Sequence, residues 1–567
     1  LKIAMKEGRI ILAQIEPARM EKLKATRMLR WNKADRTYSA PVSLDLLNTL
    51  ATIFRLPDFI EKERRQLDYI ARRIEGERSA VHPVPLVPYP VKADLYTHQI
   101  RAANMAMLQF SGRRSAGFGL LFEMGCGKTL TAIAIMGALF NRREISRVLV
   151  VAPTSVCSVW PHDLEAFAAF PFEARVLLGE KGKRLEDLQQ LTGSPQPARR
   201  LLIAVINYEA THRDGILEAL QDYGADLILC DESQRIKNPR AAQSKAVQKL
   251  GDAARFRLIL SGTPVQNSVI DLYSQYRFLD PAVFGTNFYV FRSRYCRLGG
   301  YGGHEITGYQ HMDELVKKEH AISLRVTKAQ CLDLPAETFV RRYVRLEPEA
   351  RRLYAGIARS SRTQLESGGH ITAATVLTRL LRLMQLTGGF IQEDEADRPR
   401  PASTAKLDAL ADLLEDYVQE GGHKLVIFAR FRAEIGAIRG LLAQRGIRYG
   451  VIDGTIPMEQ RGAVVEDFQQ NPDTLVFVAQ IQTAGLGITL HAASAAVFYS
   501  LDFNYASYAQ ALARIHRIGQ AHPVTYIHLL AEDTIDDRVL DALEHKEDLA
   551  RTIVDSWQDY FQGGNKS

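Results

Sequence analysis

Five cysteines in 567 residues, Cys126, Cys157, Cys230, Cys296 and Cys331, stand far apart, with no Cys-x-x-Cys pair and no Cys/His spacing suited to zinc. That scarcity argues against a disulfide-stapled scaffold and fits a reducing compartment. No uninterrupted apolar run of about 18 residues occurs, and the opening string LKIAMKEGRI lacks the long apolar core of a signal peptide. A soluble, cytoplasmic protein with no membrane partner is the expectation. Excess charge of one sign is also scarce: Lys+Arg exceed Asp+Glu by 72 − 65 = 7, which permits a polyanionic partner without indicating one. What remains, 46% hydrophobic and 24% charged residues, describes a folded chain long enough for about three or four domains.

Apolar runs flanked by turn residues come in two series. VLVVAP (148–153), LLIAVIN (201–207), DLILCDE (226–232) and FRLILSGTP (256–264) form the first; KLVIFAR, YGVIDG, TLVFVAQ, AAVFYSLD and VTYIHLL, between Lys424 and Leu530, form the second. Runs that are apolar throughout suit parallel strands covered on both faces. The reading is therefore α/β, with two lobes at 91–280 and 403–548. Residues 281–402 read as a mostly helical insertion and linker, 549–567 as a tail. Residues 1–90 read as a small N-terminal α/β module ending in the Pro-rich HPVPLVPYP.

Chemistry concentrates at the ends of the apolar runs. In LFEMGCGKTLT (121–131) a strand candidate leads through Gly125, Cys126 and Gly127 to Lys128 and Thr129, which open a helical pattern. Such a turn presents backbone N–H groups, a lysine and a hydroxyl to a phosphate. The first glycine of the usual pattern is absent, Phe122 standing in its place, and short Gly-Lys-Thr strings also arise in ordinary turns. Asp231 and Glu232 follow a buried run, where one carboxylate can hold Mg2+ and the other can orient or deprotonate water. Ser261 and Thr263 close another. Further on, TAGLGITLHAA (483–493) brings Gly485 and Gly487, and Gln510, Arg514 and Arg517 at i, i+4 and i+7 read as one helical face.

The order of these segments, ending in RIHRIGQ (514–520), resembles the Swi/Snf family of superfamily-two helicase-like ATPases over about 95–545. DESQRIKNP, SGTPVQNSVIDLYSQYRFLDPAVFG and RVTKAQCLDLP look most like its compact bacterial and phage members. The resemblance implies two tandem RecA-like lobes with ATP between them and Mg2+ as cofactor. It implies adenine-side contact by Gln99, phosphate contact by Gly125, Cys126, Gly127, Lys128, Thr129 and Gly487, and Mg2+ on Thr129 and Asp231. Glu232 would act on the water, with Gln510, Arg514 and Arg517 as its catalytic partners, the two arginines as fingers. Gln234, Ser261 and Thr263 would couple hydrolysis to motion.

Double-stranded DNA is the implied partner, bound without regard to sequence. The implied track includes Pro153, Thr154, Trp160, Asn207, Arg430 and Thr489. The segment RWNKADRTYSAPVS (30–43) is similar to a small HARP-like module, which adds Arg30 and Trp31. Three departures stand out: Gln234 replaces a usual His, Leu486 a frequent Gly, and Phe503 a Trp. A glutamine can preserve the hydrogen bond that the histidine supplies. The activity implied is a DNA-dependent ATPase that moves on duplex DNA without routine strand separation; a strand-separating helicase and a non-catalytic DNA-binding scaffold are the alternatives.

Overall fold

The structure, a computed structural model, describes residues 2–6, 8–26, 28–111, 116–193, 199–300, 305–331, 334–366, 373–391, 399–482, 488–517 and 519–550. The chain divides into two compact units, the first running through Cys331 and the second over Leu332–Leu549.

The first unit begins with a small antiparallel sheet of β1 (Lys2–Lys6), β2 (Arg9–Ala13), β3 (Arg30–Asn32) and β4 (Thr37–Pro41), in the order β1-β2-β4-β3. Ile10, Leu12 and Ala40 on its inner face bury against Leu46, Leu47 and Leu50 of the helix Leu44–Ile53. That helix is capped by Ser43, whose hydroxyl accepts from Leu46 N–H at 3.2 Å. The following helix, Asp58–Ser79, turns Ile60, Leu67, Ile70 and Ile74 inward at helical spacing.

The main sheet of this unit contains β5 (Ala116–Phe122), β6 (Arg147–Ala152), β7 (Phe172–Leu177), β8 (Leu201–Asn207), β9 (Leu227–Asp231) and β10 (Phe256–Leu260). After the antiparallel pair β11 (Cys296–Gly299) and β12 (Glu305–Tyr309), the chain adds β13 (Ser323–Val326) to its edge. The order is β13-β5-β10-β9-β6-β8-β7, parallel throughout. Every residue of β5, β8, β9 and β10 is buried, as helices on both faces require.

The second unit is a parallel sheet of β14 (Glu337–Val344), β17 (Leu425–Ala429), β18 (Tyr449–Ile452), β19 (Val476–Gln480), β20 (Ala495–Phe498) and β21 (Val524–Ala531), ordered β14-β21-β20-β17-β19-β18. The short pair β15 (Phe390–Ile391) and β16 (Arg400–Pro401) stands apart from it. Two apolar clusters, one around Phe428, Phe477 and Phe498 and the other around Ile427, Val478 and Val497, cover its faces. The two parallel-sheet lobes, the largely helical segment between them and the N-terminal α/β module are as the sequence led one to expect. The intervening segment also supplies an edge strand to each sheet, β13 to the first and β14 to the second.

At Gly117 the first sheet passes so close to Leu279 that a Cβ would lie 2.7 Å from that residue's carbonyl carbon. Gly117→Ala should lower the unfolding free energy by about 2 kcal/mol in urea denaturation. Gly182→Ala, at a helical position with open space around it, should be neutral or slightly stabilising.

Candidate nucleotide site

Register decides what meets at the carboxyl edge of the first sheet. Leu260 of β10 lies opposite Leu120 of β5 on one side and Asp231 of β9 on the other. The segments leaving these three neighbouring strands, Phe122–Lys128, Asp231-Glu232 and Ser261–Thr263, therefore emerge side by side, as ligand-binding loops of parallel α/β sheets do.

The first segment turns sharply at Gly125 (φ 89°) and Gly127 (φ 78°), both left-handed, so that Gly127 caps the helix Lys128–Asn141. Its N-terminus is a ready anion site. Lys128 Nζ folds back to donate to the carbonyls of Phe122 at 3.0 Å and Glu123 at 3.4 Å. Burial pushes the Lys128 ammonium below its ordinary pKa, while Glu232 and Asp231 pull it back up. Gln99, in the helix Thr97–Phe110, donates from Nε2 to Gly127 O at 3.4 Å, and its Oε1 accepts from Tyr96 N–H at 2.8 Å. The side chain implied for adenine contact thus braces the phosphate loop itself. His98 does the same through Nε2 to Cys126 O at 2.9 Å.

Asp231 is 7% exposed, yet its carboxylate accepts Trp160 Nε1–H at 3.1 Å and Glu232 N–H at 2.9 Å. Burial, reinforced by the neighbouring Glu232, raises its pKa; Lys128 and the indole oppose that rise. Glu232 sits at φ 51°, a left-handed backbone that a non-glycine residue adopts at a cost of about 1–3 kcal/mol. From it runs a relay: Gln234 Nε2 donates to Glu232 Oε2 at 2.6 Å, Ser261 Oγ–H to Gln234 Oε1 at 2.8 Å, and Thr263 N–H to Ser261 Oγ at 3.1 Å. Gln234 uses both ends of its amide, so the substitution for histidine keeps the connection.

This edge fits a magnesium nucleotide. Asp231 lies buried beside a second carboxylate with its pKa raised to about 7, so that a bound cation would restore its charged form, and Thr263 Oγ1 is buried with no partner among the described residues. No cluster of three or more His, Cys, Asp or Glu occurs among the described residues. Mg2+ needs none, because it binds through one or two carboxylates, waters and substrate phosphates.

In the second unit the structure corrects one expectation. Gln510, Arg514 and Arg517 do not share a helical face, because the helix Tyr505–Leu512 stops before the arginines. Tyr526 Oη–H occupies the Leu512 carbonyl at 2.7 Å and Leu490 N–H donates to Arg514 O at 2.9 Å, so the backbone is held in turns by neighbours distant in sequence. Arg514 is 8% exposed. Arg517 is half-buried, which lowers its pKa, and no carboxylate pairs with it among the described residues. Gln520 Nε2 fastens the end of the motif to the carbonyls of His491 at 3.1 Å and Ala493 at 2.8 Å. Gly485, Leu486 and Gly487 lie outside the described residues.

The residues expected along a nucleic-acid track divide by exposure. Thr154, Arg30 and Trp31 are exposed, and Trp31 pairs with Tyr38 at 4.7 Å between ring centroids. Pro153 is buried, and Thr489 and Arg430 are half-buried, with Arg430 3.5 Å from Asp502. Trp160, expected on that track, is 1% exposed and turned to Asp231, and Asn207, 5% exposed, is committed to Arg184 and Glu209. Burial removes both side chains from such a surface.

Residues 98–388 match the SNF2-related domain and residues 405–519 the Helicase conserved C-terminal domain. The chain belongs to the SNF2-related family of superfamily-two ATPases. Among its curated relatives, the Chromodomain-helicase-DNA-binding protein 1-like of Danio rerio is 28% identical over 76% of this chain and 41% of its own. The DNA annealing helicase and endonuclease ZRANB3 of Mus musculus is 28% identical over 80% of this chain and 40% of its own. The SNF2-related chain thus spans about two fifths of the length of these relatives. The Sulfolobus solfataricus SWI2/SNF2 ATPase core in complex with dsDNA is 26% identical, covering 83% of this chain and 95% of that one with a TM-score of 0.39. The family assignment rests on the sequence match.

Two contacts at this SNF2-related site escape a sequence reading, that of Trp160, which the sequence placed on the track, with Asp231 and that of His98 with Cys126. Neither contact carries a local signal, since the partners lie 71 and 28 residues away. Arg517, buried in part with no counter-charge among the described residues, points to a cost in stability accepted for function. Arg517→Met should leave the urea midpoint unchanged or raise it, whereas Trp160→Phe, which strips a buried carboxylate of a donor, should lower stability by about 1–2 kcal/mol.

Proposed function

We propose that this chain is a DNA-dependent ATPase that moves on double-stranded DNA and remodels DNA or protein–DNA complexes without routine strand separation. The observation that carries the reading is the relay Glu232–Gln234–Ser261–Thr263 beside Asp231 and the phosphate loop, a set of polar contacts that a structural turn has no need of. Lys128 would leave the Phe122 and Glu123 carbonyls for the nucleotide phosphates. Thr129 and Asp231 would hold Mg2+, which supplies neutralisation of phosphate charge. Glu232, steered by the Gln234 amide, orients the attacking water and takes its proton.

We assign Arg514, Arg517 and Gln510 to stabilising charge on the transferred phosphoryl group. Gln99, Gly125, Cys126, Gly127 and Gly487 belong to nucleotide contact in the same reading. Ser261 and Thr263 sit where a change at Glu232 is felt through Gln234, which suits them to report hydrolysis to the rest of the lobe. The duplex is assigned from family membership, with the exposed Arg30, Trp31 and Thr154 and the half-buried Arg430 and Thr489 as its contacts. Phosphate contacts carry no sequence information, so binding should be salt-sensitive and nearly sequence-independent. Likeness to compact bacterial and phage members, and a cytoplasmic place beside DNA, belong to this reading and rest on the motif strings. No described helix is long and apolar enough to cross a membrane.

Lys128→Ala should abolish most ATP turnover while leaving DNA affinity within a few-fold, and Arg517→Ala should lower kcat by on the order of 10³ with little change in nucleotide affinity. The two are read by steady-state ATP hydrolysis with duplex, single-stranded and forked DNA and with RNA. The function is tested by triplex displacement. ATP-dependent release of a third strand, lost in Glu232→Gln, with no strand released from a tailed duplex, is the expected pattern. Efficient duplex unwinding would establish a helicase instead, and stimulation by RNA but not DNA would overturn the substrate.

A further inference from the structure

Cys126 lies at the tip of the phosphate loop between its two left-handed glycines, and its sulfur is 3.4 Å from that of Cys331, 205 residues away. The approach is held by Glu123, the first residue of the loop. Glu123 N–H donates to Val326 O at 2.8 Å, and its carboxylate accepts from Lys328 N–H at 2.8 Å and pairs with Arg325 at 3.3 Å. The short helix Lys328–Cys331 is thereby tied to the loop from outside. Cys126 is buried and Cys331 is half-buried, whereas Cys157, Cys230 and Cys296 are all buried. Cys331 is the thiol of the pair that a small reagent reaches first.

We propose that Cys126 and Cys331 form a dithiol site which small-molecule disulfides oxidise, and that the resulting cross-link withholds the phosphate loop from nucleotide. The proposal rests on the nucleotide reading of that loop. Deprotonated Cys331 attacks one sulfur of the small disulfide, whose S–S bond breaks; one thiolate leaves and takes up a proton, and a mixed disulfide remains on Cys331. Deprotonated Cys126 then attacks Cys331 Sγ, the second small thiolate leaves and is protonated, and an internal S–S bond remains. Two protein thiols are oxidised and one small disulfide is reduced to two thiols. The sulfurs need close by only roughly 1.4 Å to reach bonding distance.

The consequence follows from the state of the loop in which the thiols meet. There Lys128 is spent on the carbonyls of Phe122 and Glu123. Nucleotide requires that amine to turn to phosphate and the loop amides to adjust around an anion. A bond from Cys126 to a helix outside the loop pins the self-bonded form. By reciprocity, bound nucleotide slows the cross-link.

The full chain, either reduced or equilibrated with oxidised glutathione, is examined by non-reducing peptide mass spectrometry and by titration with a fluorescent ATP analogue. A 126–331 cross-link, affinity weakened by about tenfold or more, and recovery on adding dithiothreitol are the expected results. Cys331→Ser keeps its affinity in both conditions. Absence of the cross-link overturns the proposal, as does a cross-linked protein that binds nucleotide like the reduced one. Reduced wild type that binds no nucleotide overturns the underlying reading and the gating with it, while the mass spectrum still decides whether the two thiols join.

Discussion

The parallel register of β5, β10 and β9 is the constraint on which the site depends. Because Leu260 aligns with Leu120 and with Asp231, three segments far apart in sequence leave the sheet at one level. A slip of one residue would turn every side chain of the strand to the opposite face and undo the packing on both. The fully buried apolar strands therefore fix the positions of Lys128, Asp231 and Ser261 as a by-product of burying themselves. Gly262 shows how closely the segments approach: a Cβ there would lie 3.3 Å from Phe122 O.

Within that frame the site is electrostatically costly. A lysine and an aspartate shifted against their charged forms and a glutamate in a left-handed conformation sit at one sheet edge. Groups of this kind cluster where a protein has chemistry to perform, because burial and like charge raise free energy that a bound ligand can recover. Neutral groups bind each of them by hydrogen bonds, an indole N–H donating to Asp231, an amide donating to Glu232 and backbone carbonyls accepting from Lys128, while the lysine and the two carboxylates offset one another's shifts only in part. Arg517 in the second unit shows the same pattern, partial burial with no carboxylate paired to it among the described residues. The shared feature is charge held ready, not charge satisfied.

Much of this was legible in the sequence, and the parts that were not share a cause. Strands buried on both faces announce themselves as apolar runs, so β6, β8 and β9 could be read within a residue, and β10 began where its run begins but stopped four residues sooner, at Leu260. The edge strands β7, β13 and β14 could not. FEARVL and ETFVRRYV mix charge with apolar residues because an edge is half-exposed, and SLRV is too short to stand out. Phosphate-loop, Asp-Glu and Ser-Gly-Thr residues were visible because the chemistry needs fixed types at fixed local spacing. The helix through 510–517 was misread, since its end is set by Tyr526 and Leu490 rather than by a local stop signal. Trp160, His98 and the Cys126–Cys331 pair are long-range contacts, which no local pattern encodes.

The central claim is that the edge formed by β5, β10 and β9 binds ATP as its magnesium complex. Calorimetric titration of ATP into Glu232→Gln protein, with and without Mg2+ and beside the same protein carrying Asp231→Asn, tests it most directly. Saturable binding that needs both Mg2+ and Asp231 is the predicted result. Binding that is indifferent to both, or absent from protein that remains folded, would contradict it.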